Sequence, residues 1–255
     1  MISKNKIKYV RSLEFKKHRI LHGVFVAEGN KLVSDMMDAF ECEWMLAKSS
    51  WMATKGDIRA GELIVDEGGD IRKVSFLSTP QDVIAVFRIP SFNIAELDVS
   101  TGLVLALDGI QDPGNLGTIV RIAAWFGIRH IVCSPDTADV FAPKAVQSTM
   151  GALAQVKVYY APLEVFLVRA AASVPVYGAF MEGESLYEGA LSQSGVIVMG
   201  NEGSGIRPGI GGLVDRRLHI PAYPGEQPAA ESLNVAAAAA IICAEFRRRA
   251  TAVKL

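Results

Sequence analysis

Apolar residues recur with two different periods in the first part of the chain. Over Asn30–Phe40 they recur at helical spacing, and Cys42–Ala47 is a short apolar run typical of a buried strand. Two further apolar runs, Glu62–Val65 and Val83–Ile89, lie on either side of residues 70–77, which can form a helix. These patterns predict a small α/β domain.

After residue 101 the chain alternates between continuous apolar runs and helical stretches. This alternation is typical of a mainly parallel sheet with helices on both faces, so the sequence predicts an α/β fold. The predicted strands are Leu103–Leu107, His130–Cys133, Gln155–Tyr159, Val174–Ala179, Gly195–Met199 and Arg217–Ile220, and the clearest helices are Leu116–Phe126 and Ser232–Arg249.

Between these two regions the periodicity disappears around Pro90, Ser91 and Asn93, as expected of a linker. We therefore predict a smaller N-terminal domain over 1–90, a linker over 91–100 and a larger domain over 101–255.

The charged residues are distributed unevenly along the chain. The formal net charge is -1, which excludes a uniformly basic surface, yet basic residues are concentrated in two places. Either cluster alone is typical of a solvated surface, but beside an RNA-specific motif they would be phosphate contacts. The clusters are Lys4, Lys6, Lys8, Arg11, Lys16, Lys17 and Arg19, opposed by Glu14, and Arg247, Arg248 and Arg249.

The cysteines and the longest apolar run bear on location. Cys42, Cys133 and Cys243 are far apart, lie in apolar surroundings and have no histidine at metal-ligand spacing, so we interpret them as buried free thiols. The longest apolar run, Val235–Ala244, is too short to cross a bilayer. We expect a cytoplasmic protein with no bound metal and no membrane contact.

Polar and glycine residues follow the predicted strands, where parallel sheets bind ligands. The first loop, Asp108–Gly117, contains neither a dinucleotide fingerprint nor a phosphate-binding lysine motif. Asn115 is placed to cap the next helix. Arg121 gains nothing from the positive end of the helix dipole, so it indicates an anionic partner, a substrate hydroxyl or a surface ion pair.

Two later segments have the same character. In Met199–Gly205 the glycines allow close backbone approach, while Glu202 would repel a phosphate and favours a neutral or cationic ligand; a plain turn is the alternative. In the segment from His219 to Val235, Ser232 or Asn234 either begins the last helix or holds a ligand.

These segments, in this order, resemble the three motifs of the SpoU/TrmH family, a branch of the SPOUT methyltransferases. The matching residues are Asp112–Gly117 with Arg121, Gly200–Gly205 and Ser232–Val235. Asp139–Lys144 and Met150–Ala152 also look like family sequence, so the resemblance covers 101–249.

The N-terminal region resembles, less specifically, the substrate-binding domain of family members that act on ribosomal RNA, which is similar to ribosomal protein L30e. Phe25–Gly29 and Thr79–Ala85 carry this likeness. The resemblance implies an RNA ribose 2′-O-methyltransferase acting on ribosomal RNA. The alternatives are a transfer RNA methyltransferase and an RNA-binding protein without catalytic activity.

The resemblance further implies a deep trefoil knot, S-adenosylmethionine as methyl donor, and a homodimer whose active sites are completed across the interface. Arg121 would activate the ribose hydroxyl, and Asn115, Glu202, Ser232 and Asn234 would orient the reacting groups. The residues implied to bind the cofactor are Met199, Gly200, Asn201, Gly205, Ile220, Pro221, Ser232 and Leu233.

The sequence departs from the family pattern in one place. The stretch between Ile220 and Leu233, including Tyr223–Pro228, is a few residues longer than usual. The helix after Asn234 is also unusually rich in alanine, which favours close packing against another helix, including one of a dimer partner.

Overall fold

The structure is a computed structural model that describes residues 2–223 and 232–252. It divides into two compact units. The N-terminal unit consists of the residues up to Ser91 together with Asp139–Gln155, and the C-terminal unit consists of Phe92–Ala138 and the residues from Val156 onwards.

Helices and strands alternate along most of the described chain. The helices are α1 Lys4–Ser12, α2 Lys16–His22, α3 Asn30–Met37, α4 Ser49–Met52, α5 Ile71–Val74, α6 Pro113–Trp125, α7 Pro143–Thr149, α8 Leu163–Ala171, α9 Pro208–Gly211 and α10 Val235–Ala252. The strands are β1 Val24–Glu28, β2 Cys42–Ala47, β3 Glu62–Val65, β4 Val83–Arg88, β5 Leu103–Asp108, β6 His130–Cys133, β7 Lys157–Tyr160, β8 Val176–Ser185, β9 Gly195–Gly200 and β10 Arg216–His219.

The N-terminal unit is built on a mixed sheet with the strand order β1-β4-β2-β3. Strand β4 is antiparallel to both of its neighbours, and β2 and β3 are parallel. One face is covered by α1 and α5, where Trp44, Leu46 and Val86 are buried. Helices α3 and α7 pack against β1. Strands β1, β4 and β2 are therefore buried on both faces, as their apolar sequences predict, whereas the edge strand β3 is largely exposed.

Residues 139–155, which the sequence analysis placed in the C-terminal domain, pack with the N-terminal unit. The ring of Phe141 lies 5.0 Å from that of Phe25 in β1. The carboxylate of Asp139 accepts a hydrogen bond of 2.6 Å from Arg19 Nη2. An aromatic contact and an ion pair thus join this segment to strands and helices that precede it by more than a hundred residues.

The C-terminal unit has a parallel sheet of six strands in the order β10-β8-β9-β5-β6-β7. Strands β5 and β9 lie side by side in register from Leu103 opposite Gly195 to Asp108 opposite Gly200. Every residue of β5 is buried. Helix α10 packs against α6. The predicted α/β class with a mostly parallel sheet is confirmed.

The helix and strand bounds correct several predictions. Helix α6 begins at Pro113, because the fixed φ of proline suits the first helical position and Asp112 accepts a hydrogen bond of 2.9 Å from the Asn115 amide. Asp112, and not Asn115, is therefore the N-cap. Strand β8 continues six residues beyond the predicted end at Ala179, to Ser185, along β10.

The structure also bears on two further predictions, the state of the cysteines and the question of membrane crossing. All three cysteines are free and buried, and burial raises the pKa of the Cys42 thiol to about 11 and that of Cys243 to about 12. The thiol interpretation is confirmed. Among the residues that the structure describes, no helix combines the length and apolar character needed to cross a membrane.

Candidate active site

The loops that follow β5 and β9 meet at the carboxyl edge of the parallel sheet. These strands are neighbours and end together, with Asp108 opposite Gly200. Both loops contain the polar and glycine residues noted in the sequence. The topology therefore brings the first two motifs together at the edge where parallel sheets bind ligands.

The loop after β9 is a tight turn closed by Asn201. Its backbone N–H and C=O form reciprocal hydrogen bonds of 3.0 Å with Gly205, and its side-chain oxygen accepts from the amides of Gly203 and Ser204. A Cβ on Gly200 would lie 2.2 Å from the carbonyl carbon of Gly205, so no larger residue fits there. Gly205 has a φ of +67°, which also favours glycine.

Two side chains attach this turn to the loop after β5. Asn201 donates from Nδ2 to the carbonyl oxygen of Gly109 at 2.7 Å. Asp108, whose side chain is fully buried, accepts from the Arg207 amide at 2.8 Å and from Arg207 Nε at 2.7 Å. The side-chain hydrogen bond with Asp108 raises the pKa of Arg207. The buried carboxylate thus fixes the far end of the glycine turn.

A chain of side-chain hydrogen bonds joins all three motifs. Asn115 donates from Nδ2 to Glu202 Oε1 at 2.9 Å, and Asn234 donates from Nδ2 to Asn115 Oδ1 at 3.1 Å. These residues are 87 and 119 positions apart in the sequence. We call the set Asp108, Asn115, Asn201, Glu202, Arg207 and Asn234 the motif junction.

Asn234 begins the last helix, which is one of the two functions that the sequence left open for the third segment. Its side-chain oxygen accepts from the amides of Ala236 and Ala237, so it caps α10, while its amide group faces Asn115. Ser232 and Leu233 precede it and are exposed. Within residues 2–223 and 232–252, Ser232 forms no side-chain hydrogen bond.

The remaining residues predicted to bind the cofactor differ in exposure. Met199 is buried in β9, Ile220 is half-buried and Pro221 is exposed just after β10. The longer stretch noted in the sequence falls largely on residues 224–231, which lie outside the described residues.

Arg121 stands apart from the motif junction. It is exposed on α6 and forms no hydrogen bond or ion pair with any residue in the described part of the chain. One turn further along the same face, Trp125 is 84% exposed. The structure therefore brings together Asn115, Glu202 and Asn234, but it does not join Arg121 to them within one chain.

The chemistry of the motif junction suits a ligand that is not an anion. The Glu202 carboxylate lies beside the glycine turn, where it would repel a phosphate. The described residues contain no group of three or more histidine, cysteine, aspartate or glutamate side chains that could hold a metal ion. The sequence did not predict Asp108 and Arg207, although an aspartate that ends a wholly apolar strand was a signal for a buried partner.

This arrangement agrees with an RNA methylase built on a mostly parallel α/β sheet, and the family comparison supports that class. The model of the SpoU rRNA Methylase family matches residues 102–244, and that of the MRM3-like substrate binding domain matches residues 4–85. The chain belongs to the SpoU rRNA methylase family, which confirms the resemblance and the methyltransferase class predicted from the motifs.

Individual relatives match over nearly the whole chain. The 23S rRNA (guanosine(2553)-2′-O)-methyltransferase of Bacillus subtilis is 31% identical over 95% of this chain and 96% of its own length. A solved protein of the TrmH family from Porphyromonas gingivalis is 42% identical, with a TM-score of 0.88 and coverage of 98% and 99%. An rRNA methyltransferase from Sinorhizobium meliloti, solved with S-adenosylmethionine bound, is 28% identical, with a TM-score of 0.84 and coverage of 98% and 96%.

Proposed function

We propose that this chain methylates the 2′-hydroxyl of a ribose in ribosomal RNA, with S-adenosylmethionine as the methyl donor. The observation that carries the proposal is the hydrogen-bonded meeting of the three family motifs at one edge of the parallel sheet. The likeness to rRNA methyltransferases over the full chain supports ribosomal RNA as the substrate.

The residues present fit the proposed cofactor. The tight approach of Gly200 to Gly205 leaves backbone groups, and no side chain, at the end of β9, which suits recognition of an adenosine by main-chain atoms. Glu202 adds a negative charge that favours a sulfonium cation. The residues that would hold the cofactor are Met199, Gly200, Asn201, Gly205, Ile220, Pro221, Ser232 and Leu233.

The cofactor supplies an electrophilic methyl group, and the chain would supply orientation and charge. A guanidinium cannot accept a proton at neutral pH, so Arg121 would lower the pKa of the ribose hydroxyl through its positive charge, and the proton would leave to solvent or a phosphate. Asn115, Glu202, Ser232 and Asn234 would hold the ribose and the cofactor in line.

The position of Arg121 supports a homodimer with shared active sites. Arg121 and Trp125 lie on one exposed face of α6. A large exposed indole one turn from an unpaired arginine is what a face covered by a second copy would present. In this proposal Arg121 acts on the cofactor and the RNA held by the partner subunit.

The proposal also includes the family's trefoil knot in the C-terminal unit. It is supported by two contacts: the glycine turn after β9 is hydrogen-bonded to the loop after β5, and the start of α10 is hydrogen-bonded to the first turn of α6. The substrate-binding match to residues 4–85 supports RNA binding by the N-terminal unit. Action on ribosomal RNA would place the protein in the cytoplasm.

The decisive experiment uses ribosomal RNA isolated from a strain that lacks this enzyme. The protein and tritiated S-adenosylmethionine are added, and the RNA is digested. The nucleosides are separated by chromatography and identified by mass spectrometry. We expect label in a 2′-O-methylnucleoside of ribosomal RNA. Label on a base, label only in transfer RNA, or no transfer despite cofactor binding would each overturn the proposal.

A further inference from the structure

Helix α2 in the N-terminal unit has its polar and apolar residues in inverted positions. Arg19, in the middle of the helix, is only 2% exposed, whereas Ile20 is 68% and Leu21 is 73% exposed. Burying an unpaired guanidinium is strongly unfavourable, and an exposed leucine or isoleucine loses the stabilisation that burial of its side chain would give. This orientation therefore needs a compensating set of contacts.

Arg19 supplies those contacts. Its Nε and Nη2 donate to Asp139 Oδ2 at 3.0 and 2.6 Å, and its Nη1 donates to the carbonyl oxygens of Leu13 and Glu14, each at 2.7 Å. All of these groups belong to the N-terminal unit. The arginine thus fixes the orientation of α2 and holds its apolar residues in solvent.

The outward residues form one continuous surface. Lys16, Lys17, Ile20 and Leu21 occur at i, i+1, i+4 and i+5, so they lie on one side of the helix. Phe15, which precedes the helix, is 58% exposed and contacts His18 edge-on. We call Phe15, Lys16, Lys17, Ile20 and Leu21 the α2 face.

Its charge favours a polyanionic occupant. Lys16 and Lys17 are exposed and form no ion pair with any residue that the structure describes. Unpaired lysines beside an exposed aromatic ring combine phosphate attraction with a stacking surface, which is how proteins bind unpaired nucleotides. Apolar residues alone would suit a protein partner, but two adjacent lysines that form no ion pair suit RNA better.

We propose that the α2 face binds an unpaired segment of the substrate RNA, with Phe15 stacking on a base, Lys16 and Lys17 contacting phosphates, and Ile20 and Leu21 packing against the sugar faces. This inference rests on the proposed function and assigns part of the substrate contact to a surface remote in sequence from the methyl-transfer motifs.

The test uses the full-length protein and two fluorescent probes: a mixed-sequence single-stranded RNA of about 20 nucleotides and the same RNA as a duplex. Lys16→Ala/Lys17→Ala should weaken single-strand binding about 10-fold and lower the slope of log K against log salt by about 1.4, since each phosphate contact contributes about 0.7. Phe15→Ala should weaken single-strand binding about 5-fold and leave duplex binding unchanged.

The matched control is Lys8→Ala/Arg72→Ala, which removes the same charge at two other exposed positions of the N-terminal unit. An equal loss of affinity in the control would mean that the loss of net charge alone explains the weaker binding, and it would overturn the proposal. So would Ile20→Ser/Leu21→Ser if it left RNA affinity unchanged but lowered the mass measured by light scattering, because the face would then bind protein.

Calorimetry with S-adenosylmethionine and methyl transfer by the wild type separate this inference from the proposed function. If the wild type methylates ribosomal RNA while all α2-face variants bind RNA normally, only the inference fails. If the wild type transfers no methyl group but the α2-face variants lose single-strand binding, the proposed function fails and the inference survives as RNA recognition.

Discussion

Charged side chains have opposite environments in the motif junction and on the α2 face. In the motif junction every charged side chain is held by a hydrogen bond: Asp108 accepts from Arg207, and Glu202 accepts from the neutral Asn115. On the α2 face the lysines form no ion pair within the described chain and the apolar residues are exposed, while Arg19 on the opposite side of the helix is buried. A site that must hold one small molecule in a fixed geometry is rigid before binding, whereas a surface for a flexible polymer remains open.

Arg121 gives the sharpest test of this contrast, because it belongs to the C-terminal unit but lies outside the motif junction. Arg121→Ala should lower the single-turnover rate of methyl transfer by about 10³-fold, since it removes charge stabilisation of the transition state. The cofactor Kd, measured by calorimetry, should stay within about 2-fold because no motif-junction contact is lost. Arg129→Ala, which removes another exposed arginine of the same unit, serves as the control, and an equal loss there would refute the assignment.

Asp108→Asn should break the motif junction at its buried end. The variant leaves Arg207 with only the longer contact to Asp136, at 3.5 Å. Because Arg207 is 47% exposed, we expect a loss of about 2 kcal/mol in the free energy of unfolding, less than for a fully buried pair. Urea unfolding followed by circular dichroism measures it. Asp57→Asn, in an exposed pair with Arg59 at 3.5 Å, should change stability by less than about 0.5 kcal/mol. Similar losses in both variants would contradict the role given to burial.

Glu202→Gln keeps an oxygen that can accept from Asn115 but removes the charge. If Glu202 favours the sulfonium, the variant should bind S-adenosylmethionine about 5-fold more weakly and bind the neutral product S-adenosylhomocysteine unchanged, because about 1 kcal/mol of charge attraction is lost. Calorimetry with the two ligands measures the ratio. Equal weakening of both would mean that Glu202 acts only through its hydrogen bond.

The smallest effect concerns α10, which carries Asn234 into the motif junction. The hydrogen bond from Arg248, with a second from Arg249, lowers the pKa of Glu245 to about 2. Since the carboxylate titrates near 4.3 when unfolded, its contribution to stability is present above that pH and is lost as the pH falls towards 2. Glu245→Gln should cost about 1 kcal/mol at pH 6, and the difference from wild type should shrink at pH 3 in urea unfolding. A difference that does not change with pH would contradict this account.

Local patterns in the sequence were sufficient to predict much of the fold. The strands Cys42–Ala47, Glu62–Val65 and His130–Cys133 begin and end where their apolar runs predict. Strand β1 was not predicted, because Val24–Glu28 follows a basic segment and ends in a glutamate. The start of α6 was misassigned because Asn115 and Asp112 are both good capping residues, and Pro113 decided between them.

Long-range pairing could not be read from the sequence. The ion pair between Asp108 and Arg207 joins residues 99 positions apart, and no local periodicity reports it. The inverted orientation of α2 was equally hidden, because Arg19 looks like one more residue of a solvated basic cluster until Asp139 is found beside it. The motif residues were found by resemblance, and their catalytic and cofactor-binding roles stay predictions that the variants above test.

The hydrogen bond between Asn115 and Asn234 bears on the order in which the proposed site is assembled. A chain emerging from the ribosome completes β5, α6 and the glycine turn well before residue 234 has been translated. At that point the proposed methyl-donor site still lacks the third of its three motifs. In this proposal the complete cofactor site can form only after the segment that carries Asn234 has been translated.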